Sequence, residues 1–198
     1  MINAFVPKIV LLSALSLSIP VIAEAVDKEL GVKKSLNDNL NQGALIESSE
    51  GLFLIQLPLG FSDYEKEVQP IQTEMGEIET VNYTSFSDTA AAMAGSSLYP
   101  ESLLIFIKGK EREVLEGAQE GALKNVSGTV ISEMDVDIQS SPARYVEFTA
   151  EAEGQPLFGK ALFLLNENRL YHVLLITSNP QDIHDKATTA FFESLKIN

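Results

Sequence analysis

Apolar and polar positions divide this chain into an apolar leader and a longer folded part. Ile9 to Ile19 (IVLLSALSLSI) is almost entirely apolar and uncharged; Lys8 precedes it and Pro20 interrupts it. The run falls well short of the roughly 20 residues a helix needs to span a bilayer. Ala23-Glu24-Ala25 follows, with small residues where signal peptidase requires them. A positive start, a short apolar core, a turn former and an A-x-A site read as a secretory signal peptide over 1–25, cut between Ala25 and Val26. From Val26 to Gly43 the pattern is polar and poor in large apolar side chains. Residues 26–47 are therefore expected to be a flexible leader, and 48–198 a single domain.

Within the domain the period changes repeatedly. Gly51–Leu57 (GLFLIQL) is a short apolar run closed by Pro58 and Gly60, which predicts a strand. Val68–Met75 alternates weakly, and Pro70 points to a sheet edge. Ile78–Phe86 (IETVNYTSF) is β-branched and aromatic; Met75-Gly76-Glu77 joins the two as a hairpin. Thr89–Leu98 is ambiguous: its alanines favour helix, while Gly95 and two serines weaken one. Ser102–Ile107 (SLLIFI) reads locally as a strand. Glu111–Lys124 predicts a helix with Leu115, Ala118 and Ala122 on one stripe, acids early and Lys124 late.

Four strand patterns follow, at Gly128–Ile138, Ala143–Ala152, Leu157–Leu165 and Arg169–Thr177. Their joints, Ser140-Ser141-Pro142, Glu153–Pro156 and Asn166–Asn168, are short turn compositions that force antiparallel neighbours. Phe163–Leu165 and Val173–Ile176 are apolar on both faces, as central covered strands are. The last pattern is helical. Asn179 is the expected cap, and Ile183, Ala187, Ala190, Phe191 and Leu195 form the stripe. The sum is an α+β domain: a mostly antiparallel sheet flanked by helices.

Composition narrows the function classes. The chain has 28 Asp+Glu against 14 Lys+Arg, a formal charge of −14. Such a balance argues against nucleic acid as a partner and against an anionic leaflet. Without cysteine there is no disulfide, thiol nucleophile or thiolate metal site. Two histidines cannot build a three-histidine zinc centre. No Gly-x-Ser-x-Gly elbow is present, and Gly109-Lys110 lacks the rest of a phosphate loop. No cofactor is implied.

Candidate chemistry is thin. His172 shares a strand face with Leu174 and Ile176 and is expected to be half-buried and bonded to a neighbour; a hydrolytic site around it is the competing reading. His184 is expected to face solvent. Asp135 and Asp137 point to one side of a strand and could share a divalent cation, but no calcium loop surrounds them; a solvated acidic face is the simpler account. Arg144, Tyr145, Glu147, Arg169, Tyr171 and His172 are candidates for a partner-binding patch, since Arg and Tyr are favoured at hot spots. Set against that is structural use: Arg pairing with cross-strand acids, Tyr covering the sheet edge.

The order of segments resembles a PsbP-like (Mog-type) α/β/α sandwich. The carrying residues are Phe53–Pro58, Leu115–Ala122 (LEGAQEGA), Pro142–Glu147 (PARYVE), Asn168–Tyr171 and Phe191–Ile197. The resemblance implies that Thr89–Leu98 is a strand, and that Ser102–Ile107, after Tyr99-Pro100-Glu101, is a connector or short helix. It also implies a non-enzymatic binding, accessory or assembly role. With the signal peptide, this predicts a module outside the cytoplasm, in the periplasm or secreted, that binds an envelope protein and is not stably inserted in a membrane. Intact-mass spectrometry of the exported protein is expected to give a chain beginning at Val26. Ala25→Arg should abolish that species and leave the uncut form in the membrane fraction.

Overall fold

The computed structural model describes residues 43–73 and 76–198. The expected signal peptide, its cut between Ala25 and Val26, and most of the expected leader lie outside the described residues. The folded part begins ahead of Ser48: Leu45–Ser48 (β1) is a strand within the range read as leader, and it pairs antiparallel with Phe53–Gln56 (β2). Its alternation of exposed and buried residues puts Ile46 in the core, a signal too short to stand out beside the polar stretch before it.

Seven strands form the main sheet: β3 (Glu65–Thr73), β4 (Gly76–Phe86), β5 (Ala90–Leu98), β6 (Thr129–Ile138), β7 (Ser141–Ala152), β8 (Gln155–Asn166) and β9 (Arg169–Thr177). Their order is β3-β4-β5-β9-β8-β7-β6, and every pairing is antiparallel. Pro70 lies on edge strand β3, the position in a sheet where proline is tolerated, as the sequence predicted. The joints are tighter than the sequence suggests. Ser141 and Pro142 belong to β7, and the turn is Gln139-Ser140, with both residues at positive φ. Glu153 and Gly154 repeat that geometry, as a two-residue type I′ hairpin requires.

Both faces of this sheet are apolar, so both are covered. On one face lie helix α1 (Leu104–Ile107), entered through a 3-10 turn at Glu101–Leu103, and helix α2 (Glu111–Asn125). Leu103, Ile107, Leu115 and Ala118 pack there on Val146, Phe148, Phe163 and Leu174. The other face carries helix α3 (Lys186–Glu193) and a small sheet ordered β1-β2-β10, where β10 is Lys196–Ile197. Ile46, Phe53, Ile55 and Phe191 pack there on Tyr171, Val173, Leu162 and Leu164.

Two local expectations are corrected and one ambiguity is resolved. Ser102–Ile107 is a turn and short helix rather than a strand: only Leu103 and Ile107, one helical turn apart, reach the core, and Ile105 and Phe106 face out. Within Thr89–Leu98, Ala90–Leu98 is the strand that the resemblance implied. Ala92 and Ala94 are fully buried beneath the small sheet, where tertiary packing outweighs the helix propensity of alanine. The last helix starts later than predicted. A 3-10 turn at Asp182–His184 precedes it, and Asp185, not Asn179, accepts the capping bond from the Thr188 amide at 2.6 Å. Ala190 is exposed, Phe192 takes its place inside, and Leu195 lies beyond the helix.

Phe148 lies over Gly159, its register partner on β8; a Cβ there would come within 2.1 Å of the ring. Gly159→Ala is expected to cost about 1–3 kcal/mol through overpacking, measured by denaturant unfolding. Phe148→Leu should cost less in the Gly159→Ala background than in the wild type.

Candidate functional site

The polar groups of the main sheet lie in two sets, one on each face. Asn82, Gly95, His172, Phe163, Arg144 and Asp135 are successive register partners across β4, β5, β9, β8, β7 and β6. They share the face beneath α2, because side chains directly opposite each other point the same way.

His172 is 2 % exposed, and its Nε2 lies 2.8 Å from Asn82 Oδ1. The two residues are on strands separated by β5, and the bond passes over Gly95. A Cβ on Gly95 would fall 2.5 Å from both atoms. The missing side chain is therefore what lets the pair meet. With Asn82 Oδ1 accepting, Nε2 carries the ring proton. Burial pulls the His172 pKa down to about 4, so the ring is neutral at physiological pH. In the next row Thr80 Oγ1 and Ser97 Oγ are 3.3 Å apart. Nearby in the same apolar layer, Tyr99 is buried with no hydrogen-bond partner on its hydroxyl, and burial raises its pKa well above the ordinary phenol value.

Phe163 separates the histidine from a second cluster. Arg144 Nε donates to Asp135 Oδ1 at 2.6 Å and Nη2 to Oδ2 at 3.1 Å. Its Nη1 donates to Gln119 Oε1 at 3.3 Å, and Gln119 Nε2 donates to Glu133 Oε2 at 2.9 Å. Hydrogen bonding to Arg144 holds the Asp135 carboxyl below its usual range, and Asp135 in turn raises Arg144. This chain of bonds ties α2 to β7 and edge strand β6. The Asp135 carboxylate is thus committed to a guanidinium. Among the described residues, no group of three or more His, Cys, Asp or Glu is gathered to hold a metal ion.

The remaining candidates lie on the opposite face. Arg169 Nη1 donates to Glu50 O and Ser96 Oγ, both at 3.1 Å, and Ser96 Oγ donates to Gly51 O at 3.2 Å. Tyr171 OH donates to Leu52 O at 3.4 Å. Together they clamp the β1–β2 turn onto the main sheet, and the Phe53 ring meets Tyr83 and Tyr171 edge to face. Tyr145 packs on Phe192, with Lys160 Nζ 5.8 Å from each ring. Glu147 Oε1 is 3.6 Å from both Lys160 Nζ and His184 Nδ1, and Oε2 accepts from Ser132 Oγ at 3.2 Å. His184 is exposed, as expected.

The Arg and Tyr candidates thus do not form one patch. Arg144 and His172 face the helix layer of α1 and α2; Tyr145, Glu147, Arg169 and Tyr171 face the other. Sequence reasoning missed Asn82, Gln119 and Ser96. Only Gln119 left a signal: it sits on the buried stripe of α2, four residues after Leu115, where a polar side chain needs a partner.

No family model matches the chain, and no curated protein matches it by sequence. Solved structures do match by shape. The solution structure of cyanobacterial PsbP (CyanoP) from Synechocystis sp. PCC 6803 is similar at a TM-score of 0.53 and 10 % identity, covering 85 % of this chain and 100 % of that one. A protein of unknown function from Pseudomonas aeruginosa matches at a TM-score of 0.33 and 17 % identity, over 71 % of this chain and 85 % of that one. The first likeness shows the fold: the chain has a PsbP-like α+β architecture.

Between the ordinary His pKa of 6.5 and about 4, the unfolded chain binds a proton that the folded chain refuses. This contribution to stability is therefore present above pH 6.5 and lost as pH falls toward 4. Between pH 7 and pH 5, His172 should account for about 2 kcal/mol of lost stability. His172→Gln is expected to flatten the pH dependence of the urea midpoint by that amount.

Proposed function

We propose that this chain is an exported, non-catalytic binding or accessory module of the cell envelope that engages another protein. The observation that supports this reading is the state of His172, the side chain best suited to acid–base work. It is sealed beneath the helix layer, neutral, and bonded to an amide rather than to an orienting carboxylate. A general base must come within hydrogen-bond reach of the proton it takes, and this ring is almost wholly withdrawn from solvent. The likeness in fold to cyanobacterial PsbP is consistent with a binding role. The apolar leader and the A-x-A site support export.

The purified mature chain is expected to show no turnover on ester, amide, phosphoester or glycoside reporters. After reversible cross-linking in intact cells it should co-purify with an envelope protein in fixed stoichiometry. A turnover that falls a hundredfold or more in a folded His172→Gln variant would overturn the reading.

A further inference from the structure

The main sheet has two outer edges, and they are guarded differently. Edge strand β3 carries Pro70, and Lys66 pairs with Glu50. Proline and lysine are the usual means of keeping an edge from pairing with another chain. Edge strand β6 (TVISEMDVDI) contains neither. Among the described residues nothing pairs with its outer side. A bulge between Val130 and Ser132 interrupts one end, while Ser132 to Ile138 keeps unbroken register with β7. The strand is held rigidly from behind by the Glu133–Gln119–Arg144–Asp135 bonds. It is a pre-formed edge whose outward backbone donors and acceptors meet no strand among the described residues.

Its two faces differ in chemistry. Glu133, Asp135 and Asp137 point to the α2 side; Asp135 is already paired with Arg144 and lies 3.8 Å from Arg112 Nε, so Glu133 and Asp137 are the carboxylates that an added strand would meet. Glu116 lies close enough to add to the field at Arg144. Met134, 58 % exposed, points to the other side beside its register partner Tyr145, with half-buried Val136 next along. A strand added to this edge would place alternate side chains over the carboxylates and the rest over Met134 and Val136. A second copy of the chain fits poorly. Antiparallel pairing about Met134 sets Glu133 opposite the other copy's Asp135, in a molecule already at −14.

We infer that β6 is a strand-addition site for an extended segment of a partner protein in which basic and apolar residues alternate. This deepens the binding-module reading and rests on it. Backbone hydrogen bonds would supply affinity, and the alternating side chains specificity.

The test uses the mature chain and a blocked peptide of about ten alternating Lys and Val residues. Controls are a peptide of the same composition with the lysines in one block, and an alternating Glu–Val peptide. Binding is read by fluorescence anisotropy at low and high salt, and the site by amide hydrogen exchange. The alternating basic peptide is expected to bind best, weaken with salt and slow exchange along 132–138. Met134→Asp with Asp137→Lys should weaken it roughly tenfold, whereas Val68→Lys on β3 should not. Equal binding of the block peptide, protection on β3 instead, self-association through β6 without peptide, or no binding would each overturn the inference. Capture of an envelope partner unaffected by the β6 substitutions would overturn this site and leave the binding-module reading standing.

Discussion

Everything in this fold answers to one constraint: β8 and β9, at the heart of the sheet, are apolar on both faces. Leu162, Leu164, Val173 and Leu175 point one way; Phe163, Leu165, Leu174 and Ile176 point the other. A strand pair of this kind is stable only when both sides are shielded from water. The chain supplies the two covers from different parts of its length. One is a helical layer from its middle; the other joins β1 and β2 to the last helix and β10. The main sheet is the shared wall between two apolar clusters, and most of the buried side chains belong to one or the other.

That arrangement leaves little room for polar groups, and apart from the Tyr99 hydroxyl those named above each have a specific solution. Asn82 and His172 are bridged across a residue without a side chain. Arg169 spends its hydrogen bonds on a backbone carbonyl and a serine. Arg144 is buried against Asp135 and Gln119, and Lys160 sits half-buried between Glu147 and the rings of Tyr145 and Phe192. With half as many cations as carboxylates, the chain places these three at the junctions between layers. The surplus negative charge is left to the surface. The acidic outer strand is one place where that surplus meets exposed apolar side chains and an open backbone.

The sequence carried the sheet well where the signal was two-sided or strictly alternating. The β7–β8–β9 meander and helix α2 were legible almost to the residue, because short turn compositions and continuous apolar runs admit few arrangements. It carried less where local preference and tertiary packing disagree. Ala90–Leu98 is helix-favouring by composition, yet its small side chains are what the close approach of the small sheet demands. Leu103–Ile107 looked like a strand because apolar residues at consecutive positions have no visible period; only Leu103 and Ile107 turned out to be anchored. The candidate side chains were partly legible. That Arg144 would pair across strands was readable from type and position. Which face each residue takes depends on register, and the Asn82–His172 contact depends on a strand order that no local pattern encodes.

The short pairing of Lys196 and Ile197 with Phe53 and Leu54 has a temporal consequence. One cover draws its strands from near both extremes of the folded part, whereas the helical cover and the meander are built from near neighbours. Contacts so far apart in sequence form late and slowly. On the ribosome the wide sheet therefore emerges with one side still wet. A nascent chain stays half-roofed until Lys196 and Ile197 have reached Leu54 and Phe53, and in that interval its bare apolar face is what a chaperone would hold.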